Sequence, residues 1–228
     1  MNLKPTVIAL SLMAALSSAS AFTVHMVQDI GPATVSYDLT TLGGLSSWFS
    51  SGTTYGFSWS IPNSAQVVSF GSNESLLVAL PSFTLTRNPG WNLSGDFVAF
   101  LGNPSFTEIG GATTNILGTA DISVDGGAAS TTSGLVGFVI TSSAPGYLGG
   151  YFSQTVTVPV GGFTSLAQSN ASLTLMADGG TFSNILSNPQ NKLEYSFTAT
   201  PVPEPETYAM LLSGIAALGW LARRRRNA

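Results

Sequence analysis

The sequence predicts a mainly β protein: an antiparallel β-sandwich or jelly roll, followed by one C-terminal transmembrane helix. Three observations carry this. Short segments alternate apolar and polar side chains, turn-forming residues separate them, and an uncharged run stands at the far C-terminus behind two prolines.

Met1 to Ala21 has the layout of a secretory signal peptide. Lys4 gives the positive start, Val7 to Leu16 the apolar stretch, and Ala19-Ser20-Ala21 the small-residue cleavage site, so the exported chain is expected to begin at Phe22. Residues 22–200 form the exported β domain and 201–228 the tail. Tyr55, Phe57, Trp59 and Ile61 alternate with small residues, as do Phe83 and Leu85, Val156 and Val158, Leu173 and Leu175, and Tyr195 and Phe197. Such alternation buries one face of a strand. Val67–Phe70, Phe97–Leu101 and Leu135–Ile140 read as more fully buried strands. Asn88-Pro89-Gly90, Asp125-Gly126-Gly127, Ala144-Pro145-Gly146, Gly161-Gly162 and Asp178-Gly179-Gly180 supply the turns. Inside the domain only Thr181–Leu186 suggests a helix. No fixed-period repeat and no interior linker divides it.

The tail orders three features. Pro203 and Pro205 fix φ and push the residues before them into extended geometry. Tyr208 to Ala222 follows as 15 uncharged residues, and Arg223, Arg224, Arg225 and Arg226 close it. A helix of that run covers roughly 22 Å against a hydrocarbon core of roughly 30 Å, so spanning relies on the flanks and on snorkelling arginines. Membrane insertion is expected through residues 207–222, with the arginines cytoplasmic and orienting the helix. Pro203-Glu204-Pro205, the apolar run and the arginine block together resemble the PEP-CTERM protein-sorting signal of Gram-negative bacteria. A tail of this kind also carries the label ice-binding protein C-terminal domain, which describes the tail and is no evidence of ice binding. The resemblance covers about a ninth of the chain. It implies export across the inner membrane, a transient membrane anchor, recognition and cleavage by an exosortase near Pro203-Glu204-Pro205, and a destination at the cell surface or outside the cell, linked to exopolysaccharide and biofilm matrix. The leader implies the secretion translocon and signal peptidase as further partners.

Composition limits the rest. Residues 22–202 hold two basic side chains, Arg87 and Lys192, against nine acidic ones, a formal charge of −7. Such a surface repels nucleic acid and anionic lipid. The chain has no cysteine, which excludes disulfides, thiol chemistry and cysteine-bound metal. His25, the only histidine, lies three residues past the expected cleavage site. A frayed terminus or an edge strand is a poor place for a Ser-His-Asp triad, so no catalytic role is expected for it. Glu74, Glu108 and Glu194 could serve a glycosidase, but no spacing singles out a pair. Asp121 and Asp125 before Gly126-Gly127 read as a hairpin turn rather than a calcium loop. Trp48, Phe49, Tyr55, Trp59 and Trp91 read as core aromatics, with a sugar-stacking platform as the alternative.

The expectation is a non-enzymatic exported surface or matrix protein with no cofactor, no metal and a structural or adhesive role. A secreted carbohydrate-active enzyme and a calcium-dependent glycan-binding module stay open as alternatives.

Overall fold

The computed structural model describes residues 24–39, 42–135, 140–141, 146–187, 191–203 and 205–226. The signal-peptide residues, with Ala19 and Ala21, and Glu204 of the tail lie outside them.

Among the described residues fifteen strands run in chain order: β1 (His25–Asp29), β2 (Ala33–Asp38), β3 (Ser47–Ser51), β4 (Thr54–Ser60), β5 (Val67–Ser69), β6 (Asn73–Ala79), β7 (Phe83–Arg87), β8 (Trp91–Ile109), β9 (Thr113–Val124), β10 (Ser130–Leu135), β11 (Ile140–Thr141), β12 (Tyr147–Pro159), β13 (Ser165–Asp178), β14 (Phe182–Leu186) and β15 (Lys192–Pro201). One helix, α1 (Pro205–Arg226), follows. The first sheet has the order β1-β2-β7-β13-β9-β10, with β6 also on β13 and β11 on β9. The second has the order β3-β4-β15-β8-β14-β5, with β12 on β8. All the described pairings are antiparallel.

Two long strands are the spines. On one side β8 pairs first with β15 and then with β14; β13 pairs first with β7 and then with β6. The exchange falls at an asparagine with positive φ in each case, Asn103 at 73° and Asn170 at 50°. Asparagine tolerates that backbone better than most residues, and the kink lets one strand serve two neighbours.

The sheets enclose one apolar core. Phe83 of the first sheet meets four rings of the second: Tyr195 at 5.0 Å, Phe57 at 5.2 Å, Trp59 at 5.6 Å and Phe97 at 6.1 Å between centroids. All five are buried. The alternation at Tyr55–Ile61, Phe83–Leu85 and Tyr195–Phe197 thus forms the centre of the sandwich. A cleft of about 70 Å³ remains, lined by residues that include Phe97, Val156, Leu173, Leu193 and Tyr195.

Four expectations are corrected. Thr181–Leu186 is not helical: Phe182–Leu186 is β14, which buries Ser183 and Ile185 with period 2. Val67–Phe70 is not buried on both faces, because Val67 and Ser69 turn inward while Val68 and Phe70 stay exposed. In Phe97–Leu101 only the two end residues are buried. The fourth concerns α1. It forms where the prolines and the uncharged run place it, but among the described residues no helix is long and apolar enough to cross a membrane. Glu206 and the arginines flank only 16 uncharged residues, Thr207 to Ala222, and Ser213, Gly214 and Gly219 dilute those. Of Leu135–Ile140 and the Ala144-Pro145-Gly146 turn, residues 136–139, 144 and 145 lie outside the described residues.

Candidate functional site

The strand β15 delivers the tail to the surface. Its last residues pair with the start of β8 as Thr200↔Asn92 and Pro201↔Trp91. One residue on, the Val202 N–H donates to the Gly90 carbonyl at 2.8 Å, which fastens the chain to the Asn88-Pro89-Gly90 turn. Pro203 has no N–H to continue the ladder and is exposed. It borders an open concavity with Arg87, Pro89, Trp91 and Asn92. The Pro203-Glu204-Pro205 segment therefore begins one residue past the last backbone bond to the sandwich among the described residues. Beyond it, the apolar side chains of α1 are uncovered: Tyr208, Met210, Leu211, Leu212, Ile215 and Leu218 are all more than half exposed. Arg223 is exposed near the helix end.

The other sequence candidates separate. Glu74 is exposed on β6 and accepts from the Ser72 hydroxyl at 2.9 Å. Glu194 is half-buried on β15. Glu108 is buried between the sheets, and desolvation holds its carboxyl above the usual carboxylate range, against hydrogen bonds from Thr114. The structure does not gather these three carboxyls in one groove.

Asp121 and Asp125 do local structural work. Asp125 and Gly126, with φ of 50° and 71°, form the tight hairpin turn closed by Gly127 N–H to the Val124 carbonyl at 2.9 Å. Asp125 Oδ1 also accepts from the Thr164 hydroxyl at 2.6 Å and from the backbone N–H groups of Thr164 and Ser165 at 2.7 and 2.8 Å. These bonds hold its pKa down. Asp121 accepts from Asn170 and Thr131, which lower its pKa as well.

The aromatic set named from sequence divides. Trp59 is core, Tyr55 packs edge-on against Trp91 at 5.6 Å, and Trp48 is 57% exposed at the sheet edge. A different group shares one face. The register Tyr147↔Ile109↔Phe182, Gly149↔Thr107↔Asn184↔Val68 and Tyr151↔Ser105↔Leu186 places these residues together on the outer face of the second sheet. Phe70 joins it through its 5.3 Å contact with Phe182. Tyr147, Tyr151 and Phe70 are 73%, 66% and 79% exposed. The sequence hid this group because its members come from four separate strands.

His25 is ordered on β1 by five cross-strand pairs. Its Nδ1 lies 2.9 Å from Asp38 Oδ1 and its Nε2 3.1 Å from Ser36 Oγ. The only available signal was the Ser36-Tyr37-Asp38 alternation opposite a lone histidine.

Residues 201–226 match the PEP-CTERM protein-sorting motif. The motif implies export to the cell envelope or surface and an exosortase as processing partner. No curated protein matches the chain. Among solved structures, it is similar to "Structure of infectious bursal disease virus Gx strain" at 12% identity, covering 77% of this chain and 51% of that one, with a TM-score of 0.20. The matching structure of the Gt strain of that virus gives 11% identity, 85% and 58% coverage, and a TM-score of 0.20. The chain thus spans little more than half the length of either viral chain, and overlaps this weak carry no argument.

Proposed function

We propose that this is an exported surface or extracellular-matrix protein, processed by an exosortase at its tail, whose β domain has a structural or adhesive role within exopolysaccharide. The observation that supports it best is the sorting motif at residues 201–226, attached to a sandwich whose core side chains leave only a small internal cleft. Among the described residues the last ladder bond is the one from Val202 to Gly90, so the segment beyond it can enter a protease site without unfolding the domain. The translocon and signal peptidase would handle the other end.

The test is the intact mass of the exported protein in a host with an exosortase and in the same host without it. The proposal expects a species that starts at Phe22 and lacks Arg223–Arg226 only where the exosortase is present. A mature species that keeps the arginines in the complete host refutes it.

An adhesive role has a local candidate in the outer face that carries Phe70, Tyr147, Tyr151 and Phe182. Exposed rings stack on sugar faces, and Thr107, Asn184 and Ser105 bring hydrogen-bonding groups between them. No charged side chain belongs to this group, which suits a neutral glycan.

A further inference from the structure

The antiparallel hairpin β1–β2 sets a serine, a histidine and an aspartate in line on the outer face of the first sheet. His25 stands directly opposite Asp38, and Ser36 is the next residue of β2 on the same face. In the tautomer with the proton on Nδ1, the imidazole donates to Asp38 Oδ1 across the 2.9 Å contact. That leaves Nε2 as an acceptor for the Ser36 hydroxyl 3.1 Å away. The direction of the two bonds is the one a serine nucleophile needs: serine to base, base to orienting carboxylate. The two strands fix the three residues by backbone pairing, and β7 fixes β2 from the other side.

We propose that Ser36 is a nucleophile activated by His25 and positioned through Asp38, and that this site cleaves acyl esters carried on polar alcohols. The surroundings indicate the substrate class. The residues border a shallow trough of about 270 Å³ with Ser82, Thr84 and Ser169 along it. Hydroxyl groups share its lining with Gln168 and Ala167, and its shallow form suits a polar carrier more than a long alkyl chain. His25 and Asp38 are 60% and 52% exposed, so a bulky substrate can reach them from solvent. Thr84 is the cross-strand partner of Ser36 and brings a hydroxyl beside it. That hydroxyl can donate to the oxygen that becomes negative.

In the first step Ser36 Oγ attacks the ester carbonyl carbon and its proton passes to His25 Nε2. The tetrahedral adduct collapses, the bond to the alcohol oxygen breaks, and that oxygen takes the proton from His25. Water, deprotonated by His25, then attacks the acyl-serine, and the carboxylic acid leaves as Ser36 regains its proton. Asp38 accepts from Nδ1–H throughout. The site is open to water, so its turnover should be slow.

The experiment uses the full exported protein and a fluorophosphonate probe, with the labelled residue mapped by mass spectrometry. Label is expected on Ser36, with none at that peptide in Ser36→Ala. His25→Ala should slow labelling by about 100-fold or more, the usual share of a general base. Asp38→Asn should slow it as well, by less. His25→Gln keeps a hydrogen-bonding group but no base; it should fold like the parent by circular dichroism and still fail to label. Absence of label on Ser36 in the parent protein overturns the proposal. So does equal labelling in the parent and in folded His25→Gln, since Ser36 would then be an ordinary surface hydroxyl.

Discussion

Glu108 Oε1 accepts both the backbone N–H of Thr114 at 2.6 Å and its hydroxyl at 2.7 Å. The two residues flank the Gly110-Gly111 corner, where the chain passes from β8 in one sheet to β9 in the other. The bonds therefore stitch the sheets together at a turn. The other oxygen, Oε2, is buried without a partner, and so is the hydroxyl of Ser183, the cross-strand neighbour of Glu108. Burial raises the Glu108 pKa despite the two donated bonds. The folded state then binds a proton that the unfolded chain releases near 4.5. The stabilisation is complete below that value and is lost as pH rises through the folded pKa, by up to about 1.4 kcal/mol per pH unit in that window. Glu108→Gln keeps an acceptor for Thr114 and removes the charge. Urea titrations at several pH values should show the variant as stable as the parent in acid and more stable at neutral pH. A parent whose stability rises through the same window contradicts this assignment.

The carboxylates of the Asp125 turn work in the opposite sense. Three donors from Thr164 and Ser165 favour the charged form, so the folded pKa lies below 3.8. That stabilisation is present above 3.8 and is lost as pH falls through the lowered value. Asp125→Ala should lower the melting temperature at neutral pH and weaken the acid sensitivity of the domain. Thermal melts at two pH values, one neutral and one below 3, would expose an error if the variant and parent differed equally at both.

How much of this was legible in the sequence depends on the range of the interaction. The strands with clean alternation, the Asn88-Pro89-Gly90 and Asp125-Gly126 turns and the tail helix each rest on neighbours within a few residues, and all could be read. β14 could not, because Thr181–Leu186 is too short for its period to separate strand from helix. The outer-face group of Tyr147, Tyr151, Phe182 and Phe70 depends on the pairing of β12, β8, β14 and β5, which no local pattern encodes. The His25, Ser36 and Asp38 line depends on the register of one hairpin. A lone histidine near a terminus gave no reason to expect that strand to be pinned. The uncharged run of α1 is readable too, but Glu206 and the arginines at its flanks add no apolar reach to it.

Phe83 joins the two sheets through four aromatic neighbours from the opposite side. Phe83→Ala should cost about 3–5 kcal/mol, the usual range for an emptied aromatic site in a packed core. Phe83→Leu should cost less. If chemical denaturation gave a loss under 1 kcal/mol for the alanine variant, the sandwich would not be closed around this ring.

The outer-face aromatics give the adhesive reading a direct check. Tyr147 lies along the strand so closely that a Cβ at Gly149 would meet its hydroxyl at 2.9 Å. Gly149→Ala should therefore displace the ring, whereas Tyr147→Ala and Tyr151→Ala remove two of them. Affinity electrophoresis through gels containing purified exopolysaccharide should show retardation of the parent, lost in the double tyrosine variant and reduced in Gly149→Ala. Equal mobility of all three in gels with and without the polysaccharide counts against this face as the adhesive one.

The tail combines two features that should fail differently. Glu204 lies between two prolines, and Pro203 has no N–H to continue the sandwich ladder. An acidic residue between two prolines is a distinctive feature for a protease to recognise. Arg223 to Arg226 stand at the C-terminal end of α1, where cations also complement the helix dipole. Near an anionic membrane surface each contributes about 1 kcal/mol of attraction. Four of them can hold the precursor at the surface where an exosortase works, even though α1, 22 residues long, does not combine that length with enough apolar character to span. Glu204→Ala should leave a full-length precursor that still fractionates with membranes. Replacing the four arginines by serine should instead shift precursor out of the membrane fraction, mostly uncut. Immunoblots of membrane and medium fractions with an antibody to the β domain separate the two outcomes. Processing of both variants at the parent's rate would mean that neither the acidic motif nor the basic block is read, and the sorting mechanism proposed for this tail would fall.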